Sequence, residues 1–413
     1  MANNQTKFKE TEIGTIPEEW DVFDIQTVSD VVGGGTPSTT NNNNFNGEIP
    51  WITPRDLSSY QDRFISRGER CISEEGLNSS NAKLLPVNTV LLTTRAPVGY
   101  LAIAKNEVTT NQGFHSLIPN NKTNSLFLFY LLKNNVEKLI SNASGSTFQE
   151  LNGKTLKSLE FAFPRISEQE QIAEILSSLD DKIELNRKIN ANLEKIASAL
   201  FKRWFVDIGD ELPERWKMGT IGDFGKVKSG FAFKGECFND QEGVPVIKIK
   251  NIIEPNVDLN NVDYVSDELV NKKAKEFILE AGDILIAMSG NTTGKIGIMP
   301  KTKNDYVLNQ RVGKYFLKDK NNLGYVYFYL RSGDIQENII QAAYGSAQPN
   351  ISPSILENIK IIIPDNAALN TFNNVANNAI EIIVRNNFEI NVLTELRDSI
   401  LPRLMSGKIR VKI

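Results

Sequence analysis

The stretch from Ser167 to Phe205, SEQEQIAEILSSLDDKIELNRKINANLEKIASALFKRWF, holds neither proline nor glycine. Ser167 followed three residues later by Glu170 is the sequence form of a capping box, in which hydroxyl and carboxylate each satisfy a backbone N–H at the helix start. Pro164 just upstream stops whatever precedes it. Apolar residues then recur at Ile172, Ile175 and Leu176, Leu179, Ile183, Ile189, Leu193, Ile196 and Ala197, Leu200 and Trp204. This three-four spacing is broken by Asn186 at the centre of the row Ile172–Leu179–Leu193–Leu200. The pattern predicts one helix of about 39 residues, a rod of roughly 58 Å. A rod that long with so narrow a stripe needs a second rod.

That second rod lies 200 residues later in the same chain. Shifting each number by 200 gives the row Phe372, Ala379, Asn386, Leu393, Ile400 and the neighbouring row Val375, Ile382, Glu389, Leu396, Arg403. Asn186 is answered by Asn386, each in the middle of its helix. An asparagine in an apolar seam lowers stability but fixes register, because a facing polar group must satisfy it. The expectation is an antiparallel pair crossing near the midpoints, Asn186 against Asn386.

The repeat extends beyond the helices. Ile16-Pro17-Glu18-Glu19-Trp20 recurs as Leu212-Pro213-Glu214-Arg215-Trp216. Glycine-bearing turns follow at Val32–Pro37 and Val227–Gly230, then apolar runs into polar, cationic residues at Ile49–Asp56 and Val244–Asn251. Val90–Arg95 answers to Ile284–Ser289, and Asn111-Gln112 to Asn309-Gln310. Phe129–Leu132 and Phe328–Arg331 open short helices, and each half closes on a β-like run, Leu159–Pro164 and Ile359–Pro364. Short β-branched runs punctuated by Gly, Pro and Asn, with one or two helices near the end of each half, make the fold class α+β. The expected domains are 1–163 and 210–363, globular, with 164–209 and 364–413 as long helices; the last starts after Pro364 with Asp365 or Asn366 as its N-cap. A period near 200 is a duplication, too long for a solenoid.

At 413 residues and 40% hydrophobic, the chain is long enough for two or three domains with substantial cores. It has no run of 18 apolar residues and no charged-then-apolar leader, so neither a membrane span nor a signal peptide is expected. Cys71 and Cys237 stand alone in their halves, which suits reduced thiols in the cytoplasm and a packing role. With His115 the only histidine, a catalytic triad or a histidine-rich metal site is hard to build, and His115 is read as structural. The net charge of −4 and the even mix of signs in every segment mean that a nucleic-acid face must come from arrangement, not bulk charge.

The layout resembles the specificity (S) subunit of Type I restriction–modification systems, across essentially the whole chain. The motifs that carry the likeness are Leu-Pro-Glu-x-Trp opening each globular domain (Ile16 replaces Leu in the first), Pro164–Leu176, Leu200–Asp207 and Ser399–Ile409. The resemblance implies a cytoplasmic DNA-recognition protein that performs no chemistry itself. It implies two methyltransferase subunits docked through the helical regions, with restriction (motor–nuclease) subunits joining that core. S-adenosylmethionine, ATP and Mg²⁺ would then belong to the partners, with no cofactor, metal or membrane contact in this chain.

Missing motifs agree. There is no Asn-Pro-Pro-Tyr/Phe or Asp-Pro-Pro-Tyr stretch to hold a flipped adenine. Gly33-Gly34-Gly35 precedes no helix pattern; Gly290–Lys295 has its glycines one residue too close for a phosphate loop, and Ile296 replaces the Mg-binding hydroxyl. Gly153-Lys154-Thr155 lacks the upstream glycine.

Bases are told apart in the major groove by bidentate Arg or Lys on guanine and Asn or Gln on adenine. Polar residues in matched loops are the candidates. In the first domain these are Thr36, Ser38, Thr53, Arg55, Arg95, Asn111, Gln112, Ser146 and Gln149; in the second, Lys228, Ser229, Lys248, Lys250, Asn251, Ser289, Asn291, Asn309, Gln310, Arg311, Tyr344, Ser346 and Gln348. Some would contact phosphates and only position the protein. Two different domains on one DNA face, about one helical turn or roughly 10 base pairs apart, predict a bipartite target with a fixed unspecified gap. Exposed parts of Leu176–Leu200 and Ala376–Leu401, with the ends Trp204-Phe205 and Leu404-Met405, are candidate docking surfaces for the methyltransferases. The alternative function is a methylation-only or stand-alone DNA-binding scaffold without a nuclease partner.

Overall fold

A computed structural model describes residues 7–145, 149–209, 211–239, 242–343 and 350–411. The chain divides into two compact units, Met1–Glu184 with Leu393–Ile413, and Leu185–Val392. The expected boundaries at the helix ends are therefore not where the packing divides. Each unit takes one globular domain and one part of each long helix.

The first long helix spans Ile166–Phe201 and passes into a π-helical turn at Lys202–Val206. The second spans Asn366–Met405. Asp365 is its N-cap, its Oδ1 accepting the Ala368 N–H at 2.8 Å.

In the first unit a five-stranded sheet runs in the spatial order Ser29–Gly33, His115–Pro119, Val90–Thr94, Val98–Ala104, Phe64–Ile65. A three-stranded sheet, Thr109–Thr110, Phe45–Ile52, Arg70–Ile72, and a pair, Asp21–Asp24 with Glu160–Phe163, complete the scaffold, beside a hairpin of Phe8–Thr11 and Gly14–Pro17. The second unit repeats this plan. Its main sheet is Gly225–Ser229, Val312–Leu317, Ile284–Ala287, Ile296–Ile298, Asn256–Val257, Ile252–Ile253, with a three-stranded sheet built on Val244–Ile247 and the pair Lys217–Thr220 with Lys360–Ile363.

The duplication holds down to single hydrogen bonds. The Trp20 N–H donates to Pro17 at 3.0 Å as Trp216 does to Pro213 at 2.8 Å, and Ile25 donates to Leu159 at 3.1 Å as Ile221 does to Ile359 at 2.9 Å.

In the first unit, Ile172 and Leu176 of the first long helix share a core with Trp20, Phe127, Phe163, Leu401, Leu404 and Met405. The motif residues at the helix start are ties to that core. Glu168 accepts the Trp20 indole N–H at 3.2 Å and the Arg410 guanidinium at 2.7 Å. Gln169 accepts the Thr123 hydroxyl and the Asn124 N–H, both at 3.0 Å, and donates to Pro164. In the second unit Phe205 meets Tyr325 at 4.9 Å and Phe372 at 5.2 Å between ring centroids, an aromatic cluster at the helix end.

The helix seam departs from the expected row. Ile175, Leu185, Ile189 and Ile196 are exposed, whereas Asp180, Asn190 and Glu194 are buried. Burying such groups requires partners, and each has them. In the first unit Asp180 takes Arg397 at 2.6 Å and the Tyr130 hydroxyl at 2.7 Å. In the second, Glu194 takes the Tyr327 hydroxyl at 2.7 Å and pairs with Arg331. The register is antiparallel, but the two central asparagines do not face each other. Asn186 donates to Glu389 at 2.8 Å, Asn386 donates to Asn190 at 2.9 Å, and Asn190 donates to Asn387 at 2.8 Å. The pairing is offset by about one helical turn from the expected one, with Asn190 rather than Asn186 opposite Asn386. No helix among the described residues is long and apolar enough to cross a membrane.

Candidate nucleic-acid interface

Backbone pairing gathers the candidate loops at one end of each main sheet. In the first unit, Phe45–Ile52 runs parallel to Thr109–Thr110, with Ile52 opposite Thr110. The next N–H, of Asn111, donates to Ile52 at 3.0 Å and sets Thr53 and Arg55 beside Asn111 and Gln112. The Gly35 N–H donates to Thr110 at 2.9 Å, and the Thr36 hydroxyl donates to the Gln112 side-chain oxygen. The Thr94 N–H donates to Gly113 at 2.8 Å and the Leu151 N–H to Thr94 at 2.9 Å, which brings Arg95 against Glu150 and next to Gln149.

The second unit makes the same bonds. Asn309 donates to Ile247 at 3.0 Å, Phe231 to Leu308 at 2.8 Å, Met288 to Arg311 at 3.0 Å and Ile351 to Met288 at 2.8 Å. Ser289 pairs with Asn350 as Arg95 does with Glu150.

The glycine of each matched turn is a matter of clearance. A Cβ on Gly34 would stand 2.0 Å from the Asn111 carbonyl oxygen, and one on Gly230 would stand 2.3 Å from that of Leu308. Only glycine lets two backbones approach so closely.

Side chains in these loops divide by exposure and by partner. Thr36, Ser38, Arg55, Arg95, Gln112, Gln149, Lys228, Lys250, Asn291, Gln310 and Arg311 are exposed. Arg55 is 84% exposed, 3.8 Å from Glu69, and Ser38 is 2.8 Å from the Thr40 hydroxyl. Lys228 lies over the Phe316 ring at 5.2 Å. Lys248 is held 2.5 Å from Asp263 and Lys250 3.3 Å from it. The Lys248 hydrogen bond, with Lys250 adding, holds the Asp263 carboxyl below its ordinary value despite some burial. Ser229 and Ser289 are half-buried, and the Ser289 hydroxyl has no partner among the described residues.

Four candidates serve the loops themselves. Thr53 caps the turn Pro54–Leu57, its N–H and hydroxyl each 2.7 Å from Asp56. Asn111 and Asn309 accept the N–H two residues on, at 2.9 and 3.4 Å. Asn251 is corrected: it is 0% exposed, accepts the Lys248 N–H at 2.9 Å and donates to Asp258 and Asn261, so it holds its loop closed as Asp56 does in the first unit. Ser146, Tyr344, Ser346 and Gln348 lie outside the described residues.

The proposed docking ends are corrected too. Phe205, Leu404 and Met405 are buried in the cores and Trp204 is half-buried. The exposed large apolar residues of the two long helices are instead Ile166, Ile175, Leu185, Ile189, Ile196, Val375 and Leu396.

A duplicated scaffold that holds matched polar loops over different side chains has the form of a two-part recognition protein. The model of the Type I restriction modification DNA specificity domain matches residues 17–195 and again 213–391. The Type I restriction enzyme MjaIX specificity subunit of Methanocaldococcus jannaschii is 37% identical over 99% of this chain and 98% of its own length. The HindI specificity subunit of Haemophilus influenzae is 24% identical over 94% of this chain and 96% of its own. A crystal structure of a Type-I restriction-modification system S subunit from M. genitalium, 16% identical and matched over 100% of this chain and 98% of that one, has the same fold with a TM-score of 0.63. The chain belongs to the Type I restriction modification DNA specificity family.

Proposed function

We propose that this chain is the DNA sequence-specificity subunit of a Type I restriction–modification enzyme. Each globular domain reads one half of a bipartite target in double-stranded DNA. The long helices set the gap between the halves and dock two methyltransferase subunits, to which the motor–nuclease subunits attach. The chain itself performs no catalysis, and S-adenosylmethionine, ATP and Mg²⁺ serve the partners, in the cytoplasm. The observation that carries this reading is the matched pair of loop sets, equivalent in backbone hydrogen bonding and different in side chains, as two readers of two sequences require.

The test is a map of N6-methyladenine in DNA from cells with and without the gene. Deletion should abolish methylation of one asymmetric two-part motif, and exchange of residues 210–363 for those of a relative should change one half of it. Methylation that is the same in both cells overturns the proposal.

A further inference from the structure

Gly153 and Lys154, from a stretch unsuited to a nucleotide loop, line a groove of about 600 Å³ in the first unit together with Gln26, Val31, Gly33, His115, Lys157 and Ser158. The lining is rich in donors and includes no carboxylate. Lys154 and Lys157 are exposed and form no ion pair among the described residues. Of the acidic groups around it, Asp24 takes the Gln26 amide at 2.7 Å, and the charge of Glu150 acts on His115.

His115 is placed deliberately by its neighbours. Its Nδ1 lies 2.8 Å from the Thr94 hydroxyl. A Cβ on Gly153 would stand 2.7 Å from its Nε2, and one on Gly33 4.0 Å. Nε2 thus sits in a gap that Gly153 keeps clear, while Gly33 stands at ordinary contact distance. When Thr94 donates to Nδ1, the neutral ring carries its proton on Nε2, as a donor toward that gap. The groove borders the reading loops, since Gly33 leads into the Gly34–Ser38 turn and Thr94 precedes Arg95.

The second unit keeps Val31 as Val227 and differs at the polar and glycine positions of the groove. The strand pairing that sets His115 opposite Gly33 sets Gly313 opposite Ser229. The capped turn of Asn152 and Thr155 is repeated by Ser352 and Ile355, which puts Pro353, Ser354 and Glu357 where the first unit has Gly153, Lys154 and Lys157. Glu357 accepts the Val227 N–H at 2.9 Å.

We infer that the groove takes a backbone phosphate of the DNA beside the half-site read by the first domain, with Lys154 and Lys157 neutralising it and His115 Nε2 donating to it. The inference rests on the proposed function and adds an anchor present in one domain only. A phosphate contact fixes the register of the protein on DNA and carries no base information. Burial holds the His115 pKa below its ordinary value, with Lys157 adding to the effect and Glu150 opposing it. The imidazole is therefore neutral at pH 7, and acidification that charges it strengthens the phosphate contact.

The test uses the full chain co-purified with its methyltransferase and two duplexes, one with the mapped target and one with both halves scrambled. Binding is measured between about 50 and 200 mM salt. The K154Q/K157Q variant should lose roughly ten-fold in affinity for both duplexes, its slope of log K against log salt should fall by about 2, and its methylated motif should be unchanged. An unchanged slope overturns the inference, and so does a change of base preference, which would make the lysines readers. Should the variant fail to fold, methylphosphonate links scanned along the duplex replace it. Wild-type affinity should drop at one or two links flanking the first half-site, and a flat scan overturns the assignment. Stabilisation by inorganic phosphate that the lysine substitutions abolish, with an unaltered DNA salt slope, would assign the groove to a free anion instead. Loss of preference for the target duplex in the wild type strikes the proposed function alone, because the scrambled duplex still reports the slope.

Discussion

Asp180 and Arg397, 217 positions apart in the chain, meet with Oδ1 and Nη1 2.6 Å apart in the interior of the first unit. The other carboxylate oxygen takes the Tyr130 hydroxyl at 2.7 Å, so the globular domain and both helices of that unit share one buried anion. Burial by itself raises the Asp180 pKa, but Arg397, Lys133 and the Tyr130 hydrogen bond outweigh it and hold the carboxyl below its ordinary 3.8. Tyr130 is in turn pushed well above its usual range, first by burial and then by Asp180.

Asp180→Asn should therefore destabilise the first unit by about 3 kcal/mol at neutral pH, because it leaves the buried Arg397 guanidinium with the half-exposed Asp398 as its remaining carboxylate. A depressed folded pKa contributes stability that is present above the unfolded value and lost as pH falls through the folded one. Urea midpoints for peptides covering Ser125–Asn134, read by hydrogen exchange, should differ at pH 7 and converge below about pH 4. A gap of equal size at both pH values would show that the carboxylate charge is not what Arg397 needs.

Asn190→Leu adds apolar surface to a helix seam and is nevertheless expected to cost about 2 kcal/mol in the second unit. Asn190 accepts from Asn386 and donates to Asn387, and a leucine satisfies neither. Thermal unfolding of peptides covering 366–392 measures it; a rise in stability would show that the polar cluster is dispensable.

Gly34→Ala and Gly230→Ala test the two reading sites one at a time. Each methyl collides with a carbonyl of the adjoining loop, so each variant should lose roughly ten-fold or more in affinity for its own half-site. Competition with duplexes mutated in one half resolves which contacts were lost. Equal damage to both halves by either variant would mean that the turns act through overall folding.

Ile196→Glu and Val375→Glu place charge on helix residues that are 56% and 45% exposed. Stability should change by no more than about 0.5 kcal/mol, while co-purification of the methyltransferase falls. Undiminished co-purification would move the docking surface elsewhere.

Much of this was legible in the residues. The 200-residue offset, the position of both long helices, the closing strands and the matched loops all follow from apolar spacing and punctuation, which are local. The seam was not legible at Asp180, Asn190 and Glu194. Period alone assigns such residues to solvent, and their burial depends on Arg397, Asn386 and Arg331, which come from distant parts of the chain. Asn251 was misjudged for a related reason: a polar residue after a strand reads the same whether it faces a ligand or closes its own turn. Lys154 and Lys157 were missed because five-residue helices leave no periodic trace, and His115 because its setting depends on Thr94 and Gly153, both distant from it in sequence.

The first unit needs Leu401, Leu404 and Met405 for its core, and Arg410 for Glu168. All four are made after the entire second unit, Leu185–Val392, has been synthesised. The unit begun first thus receives its last core residues after the whole of the second has been made, and until then the Trp20 side of its core stays unsealed. A chain truncated after Val392 would hold one finished reading unit and one that a protease should still cut.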